Sequence, residues 1–510
     1  MIIKTQIDEI QNLLTDASNL RGGTAAQAVF PESVVEISEI LQTASAQKTS
    51  VTISGAGTGT VGGRIPFGGT ILCLDKLNKI KEIVEFADGN DYGAVEAGVA
   101  LNDYQKAVEA KNLFYPPDPT EWSAQMGGTV VTNASGARSF KYGATREFIN
   151  RLEIVLATGE ILNLRRGACV ADANNKLRLT THSGTEIIVP LPTYRMPETR
   201  KHAAGYFYKP GMDAIDLFIG SEGTLGIVSE IETRLLPKPE SVLSGIVFFK
   251  NEIDLLNFVD EARTISFATR EGNLNQIQNP KSKIQNPVDA RVLEYFDRNA
   301  LEFVREKFSH VPENMAGAIF FEQEVTTENE DEILQEWFEL LEKHRAETDD
   351  SWFATNENDS KKMREFRHAL PVMVNEFIVR HGQKKVSTDM AVTDEEFPRQ
   401  LKFYQETLQA SGLQYVVFGH IGDNHLHVNI LPRNAEEAAR ARLIYSRFIA
   451  RTCIVGGTIS AEHGIGKLKK QYLNAMFGER YLNEMAMIKK ALDPAGILGR
   501  GIMFDEKYLN

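Results

Sequence analysis

Gly57-Thr-Gly59-Thr-Val-Gly62 has the G-x-G-x-x-G spacing of a dinucleotide-binding loop. It follows the apolar run SVTI, and Asp75 lies just beyond the next apolar run, TILCL. What comes after the loop constrains the fold most. A doubly wound dinucleotide-binding unit needs a helix that opens directly from the glycines and points its N-terminus at the pyrophosphate. The residues here are GGRIPFGGT, with Pro66 and four glycines, and proline and glycine are the poorest helix formers. The loop therefore leads from one strand into another, and the doubly wound fold is excluded. Glycines 55, 57, 59, 62 and 63, with Thr58 and Thr60 between them, still suit an anion, because bare backbone N–H groups approach a phosphate closely.

Two further segments share this character. DPTEWSAQMGGTVVTNASGARSFKYG, from Asp118 to Gly143, and GSEGTLG, from Gly220 to Gly226, crowd small residues, hydroxyls and amides into stretches too polar for a core. Three such segments on one β-rich half could together enclose a long polar cofactor. Around them, Glu32 to Lys48 carries Val34, Val35, Ile37, Ile40, Leu41 and Ala44 at helical spacing, and LEIVLATGEILNL reads as a hairpin turning at Thr158-Gly159. The first residues, MIIKTQIDEIQNLL, read as the start of an amphipathic helix.

At 510 residues the chain is too long for one core. Pro237 and Pro239 close the β-rich part, which gives a first domain over 1–240. Residues 241–440 mix charged amphipathic helices with strands such as GIVFF and QYVVF, an α+β texture. Residues 441–510 form a C-terminal segment whose helices flank SAEHGIGK. IQNP occurs twice, at Ile277–Pro280 and Ile284–Pro287. Asn-Pro favours turns, and this stretch reads as a surface insertion without chemistry.

A net charge of −13 argues against a nucleic-acid binder, which needs clustered Lys and Arg. No apolar run approaches the roughly 20 residues of a membrane span, and the N-terminus has no signal-peptide pattern. The three cysteines, Cys73, Cys169 and Cys453, are scattered and odd in number, so neither a disulfide framework nor an iron–sulfur cluster held by this chain alone is expected. The expected location is cytoplasmic, with peripheral membrane attachment left open.

Three of the ten histidines lie in FGHIGDNHLHVNI: His420, His425 and His427. As a strand, this run puts His425, His427 and Asn429 on one face, with Leu426, Val428 and Ile430 behind. His420 can fold back across the Gly422-Asp423 turn. Ser460-Ala-Glu462-His463-Gly-Ile-Gly466 adds a carboxylate beside an imidazole. Two histidines and a glutamate with an open position form a typical catalytic Zn²⁺ set, and Mn²⁺ accepts the same donors.

SGAGTGTVGGRIPFGG, the Asp118–Gly143 stretch and GSEGTLGIVSEIETRLLPKP together resemble the FAD-binding domain of the vanillyl-alcohol oxidase family. The resemblance is closest to the D-lactate, glycolate and D-2-hydroxyglutarate dehydrogenase branch. It implies an α+β protein: a two-subdomain FAD-binding domain, an α+β substrate (cap) domain, and a C-terminal helical segment returning to the FAD domain. By resemblance, FAD would lie on Gly55, Ala56, Gly57, Thr58 and Gly59, with Gly62 and Gly63 alongside. Ser123, Gly127, Gly128, Thr129, Asn133 and Gly136 would line the flavin and adenosine side, with Glu222, Gly223 and Ile227 near the adenosine. Some relatives attach FAD through an N-terminal histidine. This chain has none before His182, so FAD is expected to be non-covalent.

The same resemblance makes His420, His427 and Glu462 the ligands of a divalent metal, Zn or Mn, Asn429 a substrate contact and His463 the base. Relatives commonly have asparagine where this chain has His425, which is left as a fourth ligand or a polar contact. Arg367 and Lys385 fall where relatives hold the substrate carboxylate, with Arg364 and Lys384 as alternatives. The implied reaction is oxidation of a D-2-hydroxy acid, D-lactate first, with glycolate and D-2-hydroxyglutarate as alternatives. Electrons would pass to a quinone, an electron-transfer protein or a partner subunit, and homodimerisation is left open. Two rivals remain: a transferase like alkylglycerone-phosphate synthase, and a non-catalytic electron-transfer subunit.

Overall fold

The computed structural model describes residues 1–272, 287–354 and 356–509, so the IQNP repeat lies outside the described residues up to its last proline. Gln27–Phe30, Thr70–Cys73 and Val51–Ser54 are parallel neighbours, and Ile2–Lys4 adds an antiparallel edge. Parallel neighbours need a crossover of about a dozen residues. Helix Val34–Gln47, capped by the Ser33 side chain, supplies one. The other, residues 55–69, contains no helix, as the Pro66 and glycine content requires. Its N–H groups are therefore not consumed by an intrahelical ladder. The N-terminus differs from the sequence expectation. β-branched Ile2 and Ile3 pair with the open sheet edge, and helix begins only at Ile7, for one turn.

A second, five-stranded antiparallel sheet runs in the order Ile80–Val84, Tyr92–Glu96, Ile227–Arg234, Ile149–Val155, Ile161–Arg165. Its last two strands are the expected hairpin, turning through Gly159 at φ 85°. The strand Ser241–Phe249 belongs to a third sheet, in the order Trp352–Phe353, Ser241–Phe249, Gly317–Val325, Ala290–Asp297, Tyr415–Gly419, His425–Ile430, Val386–Ser387. One apolar cluster continues from Leu152 and Ile231 through Leu293 to Leu426 and Ile488, so the halves share a core.

After helices Ala435–Ile454 and Lys470–Leu492, the chain returns to the first sheet, where Leu498 bridges Val51. Between these helices, Thr458 bridges Ala391 of the third-sheet side. The loop 460–466 is thus tied to both halves. Among the described residues, no helix is long and apolar enough to cross a membrane.

Candidate active site

A cavity opens where the three glycine-rich segments meet the C-terminal loop. Its wall includes Gly55, Ala56, Gly57, Thr58, Gly59, Gly63, Gly127, Gly128, Thr129, Glu222, Gly223 and Ile227, and also Glu462 and His463. Side chains added at Gly59, Gly63 and Gly128 would meet no protein atom within 4 Å. The small residues therefore leave room for a large ligand rather than packing against their neighbours. That arrangement fits a cofactor such as FAD.

Four expected contacts are set back from the wall, each for a visible reason. Gly62 faces Leu20. Ser123 is exposed and bonds Glu121. Asn133 accepts the Arg146 N–H at 3.0 Å. Gly136 abuts the Asp118 carbonyl and accepts from Lys201. Glu222 reaches past the cavity, accepting the Ile465 and Gly466 N–H groups at 2.7 Å each. A Cβ at Gly464 would crowd its carboxylate. Burial raises the Glu222 carboxyl to about 7, against those two N–H donors.

Behind Glu462 lies the histidine cluster. His420, His425, His427 and Glu462 can each supply one donor atom, all within 4.8 Å of one another. Strand His425–Ile430 carries two of them, and the three-residue turn Ile421–Asp423 folds His420 back. Glu294 bonds His420 Nδ1 at 2.5 Å, which directs Nε2 to Glu462 Oε1 at 3.2 Å. His427 Nδ1 lies 3.1 Å from the Thr388 carbonyl, so it donates there and leaves the Nε2 lone pair facing Glu462 Oε2 at 3.8 Å. Such outer partners commonly fix the tautomer of a metal-binding imidazole. His425 is fully buried; its Nε2 lies 3.3 Å from Asp389 Oδ1, and its Nδ1 has no hydrogen-bond partner among the described residues. A buried, unsatisfied imidazole nitrogen in a cluster with a carboxylate fits a cation.

The cluster's electrostatics follow from its carboxylates. Burial opposes protonation of His420, but Glu294 and Glu462 raise it to about 9. Burial and the neighbouring His425 hold His427 well below the ordinary histidine range. Burial also lowers His463, with Asp389 acting against it. Glu462 stays ionised well below the usual carboxylate range despite burial, mainly through His420 and Lys201.

Sequence reasoning missed three buried partners. Lys201 donates to Glu462 Oε1 at 2.6 Å and lies 3.3 Å from Asp423 Oδ2. Glu294 is buried in the strand Ala290–Asp297. Asp389 accepts the Glu462 and His463 N–H groups at 3.1 Å each. Nothing local marked Glu294, which shares its strand with the charged Arg291 and Asp297, or Lys201.

Asn429 is buried opposite Ser387; its Nδ2 donates to the His427 carbonyl and its Oδ1 has no partner. Arg367, on helix Glu357–Arg380, points its Nε at Glu294 Oε2 at 3.2 Å, so its charge is largely matched within the protein. Lys385 has no ion pair among the described residues. It is exposed, and surrounding protein lowers its pKa by desolvation.

The model of an FAD binding domain matches residues 25–165, and that of the C-terminal domain of FAD linked oxidases matches residues 278–503. The chain belongs to the FAD-linked oxidoreductases. This oxidoreductase is 29% identical to the glycolate oxidase subunit GlcD of Bacillus subtilis over 93% of its length and 88% of the relative's. It is 28% identical to a D-lactate dehydrogenase of Anaerostipes hadrus, over 97% and 93%. It is 26% identical to the D-2-hydroxyglutarate dehydrogenase of Stutzerimonas stutzeri, over 98% of each. The oxidoreductase thus sits in the branch with these dehydrogenases. A solved alkyldihydroxyacetonephosphate synthase superposes with a TM-score of 0.65 at 15% identity, over 98% of this chain and 81% of that one, a likeness of fold.

Proposed function

We propose that this oxidoreductase oxidises a D-2-hydroxy acid, D-lactate or a close analogue, to the 2-oxo acid, with non-covalent FAD and a divalent metal. One observation carries the reading: Glu462 and His463 line the flavin cavity while Glu462 also belongs to the histidine cluster. A substrate between the two would have its carbon facing the cavity and its hydroxyl facing the cluster. Among the described residues, the cavity wall offers no His, Cys or Tyr from the N-terminal half, which supports non-covalent FAD.

FAD supplies the hydride acceptor when bound, and a metal held by His420, His427 and Glu462 would acidify the substrate hydroxyl. His463 accepts the hydroxyl proton, and its lowered pKa keeps it unprotonated near neutral pH. Lys385, which has no ion pair among the described residues, and Arg367 hold the carboxylate, the latter suited to two parallel hydrogen bonds. Asn429 has a free carbonyl oxygen for a substrate hydroxyl. Electrons then pass to a quinone, an electron-transfer protein or a partner subunit. Glycolate and D-2-hydroxyglutarate are the alternative substrates.

Anaerobic mixing with a panel of D- and L-2-hydroxy acids tests this directly. Bleaching of the flavin absorbance by D-lactate, and weakly or not at all by L-lactate, is expected. No bleaching by any member would overturn the reading.

A further inference from the structure

Asp389 is the most heavily engaged carboxylate beside the site, and the chemistry above does not use it. It is 1% exposed and lies between strands Val386–Ser387 and Met390–Ala391. Its Oδ2 accepts from Ser460 Oγ at 2.6 Å and Lys469 Nζ at 2.7 Å. These two contacts anchor it. The remaining contacts all face the site. Oδ1 takes the Glu462 N–H and lies 3.3 Å from His425 Nε2; Oδ2 takes the His463 N–H and lies 3.4 Å from His463 Nδ1.

An ionised carboxylate accepts and cannot donate. Ser460 Oγ, the Glu462 and His463 N–H groups and Lys469 all donate to it and favour the ionised form, so an imidazole nitrogen turned towards it carries the hydrogen. For His463 this puts the hydrogen on Nδ1 and the lone pair on Nε2. For His425 it puts the hydrogen on Nε2 and the lone pair on Nδ1, the nitrogen left without any partner inside the protein. The His463 and His425 rings both neighbour His427, at 5.6 Å and 4.5 Å between ring centres. A single carboxylate therefore faces both.

We propose that Asp389 is a positioning residue that fixes the tautomer and orientation of both His463 and His425, so that each presents a lone pair away from Asp389. For His463 that lone pair receives the substrate hydroxyl proton; the proton moves from the hydroxyl oxygen to Nε2, and the imidazolium is stabilised by Asp389. The inference rests on the assignment of His463 as base. Asp389 touches neither substrate nor cofactor.

The test compares Asp389→Asn, His463→Ala and the double variant in the FAD-loaded protein. Four quantities are followed: anaerobic flavin reduction by D-lactate, the substrate concentration for half-maximal rate, metal content and melting temperature. Asparagine keeps the shape but can turn an N–H towards His463, reversing its tautomer. Reduction should slow on the order of 10³–10⁴-fold, the upper end being the loss of about 10⁴ in the wrong-tautomer Asp→Asn variant of a Ser-His-Asp triad. The half-maximal concentration should change less than about threefold. If Asp389 acts through His463, the double variant is no slower than His463→Ala alone.

A purely structural role predicts something else. Lys469→Met removes the anchor and keeps the carboxylate, so it should lower the melting temperature yet hold reduction within about tenfold. Equal slowing by Lys469→Met and Asp389→Asn, or additive losses in the double variant, would overturn the inference. So would an unimpaired Asp389→Asn while His463→Ala is slow. A His463→Ala variant at the parental rate would instead sink the assignment of the base itself. Should Asp389→Asn fail to fold, Asp389→Glu takes its place: the displaced carboxylate should slow flavin reduction, and in the His463→Ala background no further than His463→Ala alone. A parental rate in Asp389→Glu with lowered melting temperature would overturn the inference.

Discussion

Gly59, Gly63 and Gly128 face open space on one side of the cavity, and that side is mostly backbone and small side chains. The opposite side, around Glu462, is packed with ionisable groups, several of them paired: Glu294 with His420, Lys201 with Glu462, Asp389 with Lys469. A cofactor with a long polar body is held by many backbone contacts, none of which needs a particular side chain. Metal and proton chemistry depends on a few side chains in fixed geometry, and fixing them takes buried countercharges. The first side tolerates substitution as long as nothing protrudes. The second fails when a single partner is removed.

The largest expected effect sets the two sides apart most sharply. His427→Ala should cut turnover by about 10³-fold or more, since metal polarisation contributes several kcal/mol. FAD content should be unchanged, read as the flavin absorbance per protein. Loss of flavin along with turnover would break the separation.

Gly57→Glu acts on the other side. Gly57 has φ 79°, and a Cβ there collides with the Arg64 guanidinium. Strain of 1–3 kcal/mol, with charge repulsion from phosphate, should weaken FAD binding by about 10²-fold. The variant should purify colourless while keeping its metal.

Glu294→Gln loses the charged partner of His420 without touching the cavity wall. Metal affinity should fall about 10–100-fold, as for other outer partners of metal-binding histidines, with FAD affinity unaltered. Titration with Zn²⁺ or Mn²⁺ against a competing chelator reads this.

The smallest effect concerns the joint between the sides. Burial lifts the Glu222 carboxyl to about 7 in the folded protein, above its ordinary value near 4.3. The stability this adds is present below the ordinary value and lost as pH rises towards 7. Glu222→Gln should remove that loss. Between about pH 5 and 7.5 the parent should lose about 1–2 kcal/mol more stability than the variant, allowing for solvent in the cavity. Melting curves at both pH values check it.

The same contrast governs what the sequence revealed. Glycine patterns that reject a helix were readable because they act locally: Pro66 and its neighbouring glycines forbid one whatever lies around them. FGHIGDNHLHVNI was readable because strand alternation brings His425, His427 and Asn429 to one face. Its partners were not. Glu294 lies 126 residues from His420, and Lys201 lies 261 residues from Glu462, so only the tertiary fold pairs them. Glu222 lines the cavity and also accepts from Ile465 and Gly466, a second role that its local sequence does not show because those residues lie more than 240 positions away. Ile2–Lys4 was read as helix since the edge strand it completes is 24 residues or more away.

The most direct test of the account removes the metal alone. Protein stripped with a chelator and returned to metal-free buffer should keep its full flavin spectrum yet fail to bleach anaerobically with D-lactate. Stoichiometric Zn²⁺ or Mn²⁺ should restore the bleaching. Stripped protein that is verified metal-free and reduces its flavin at the parental rate would contradict the account.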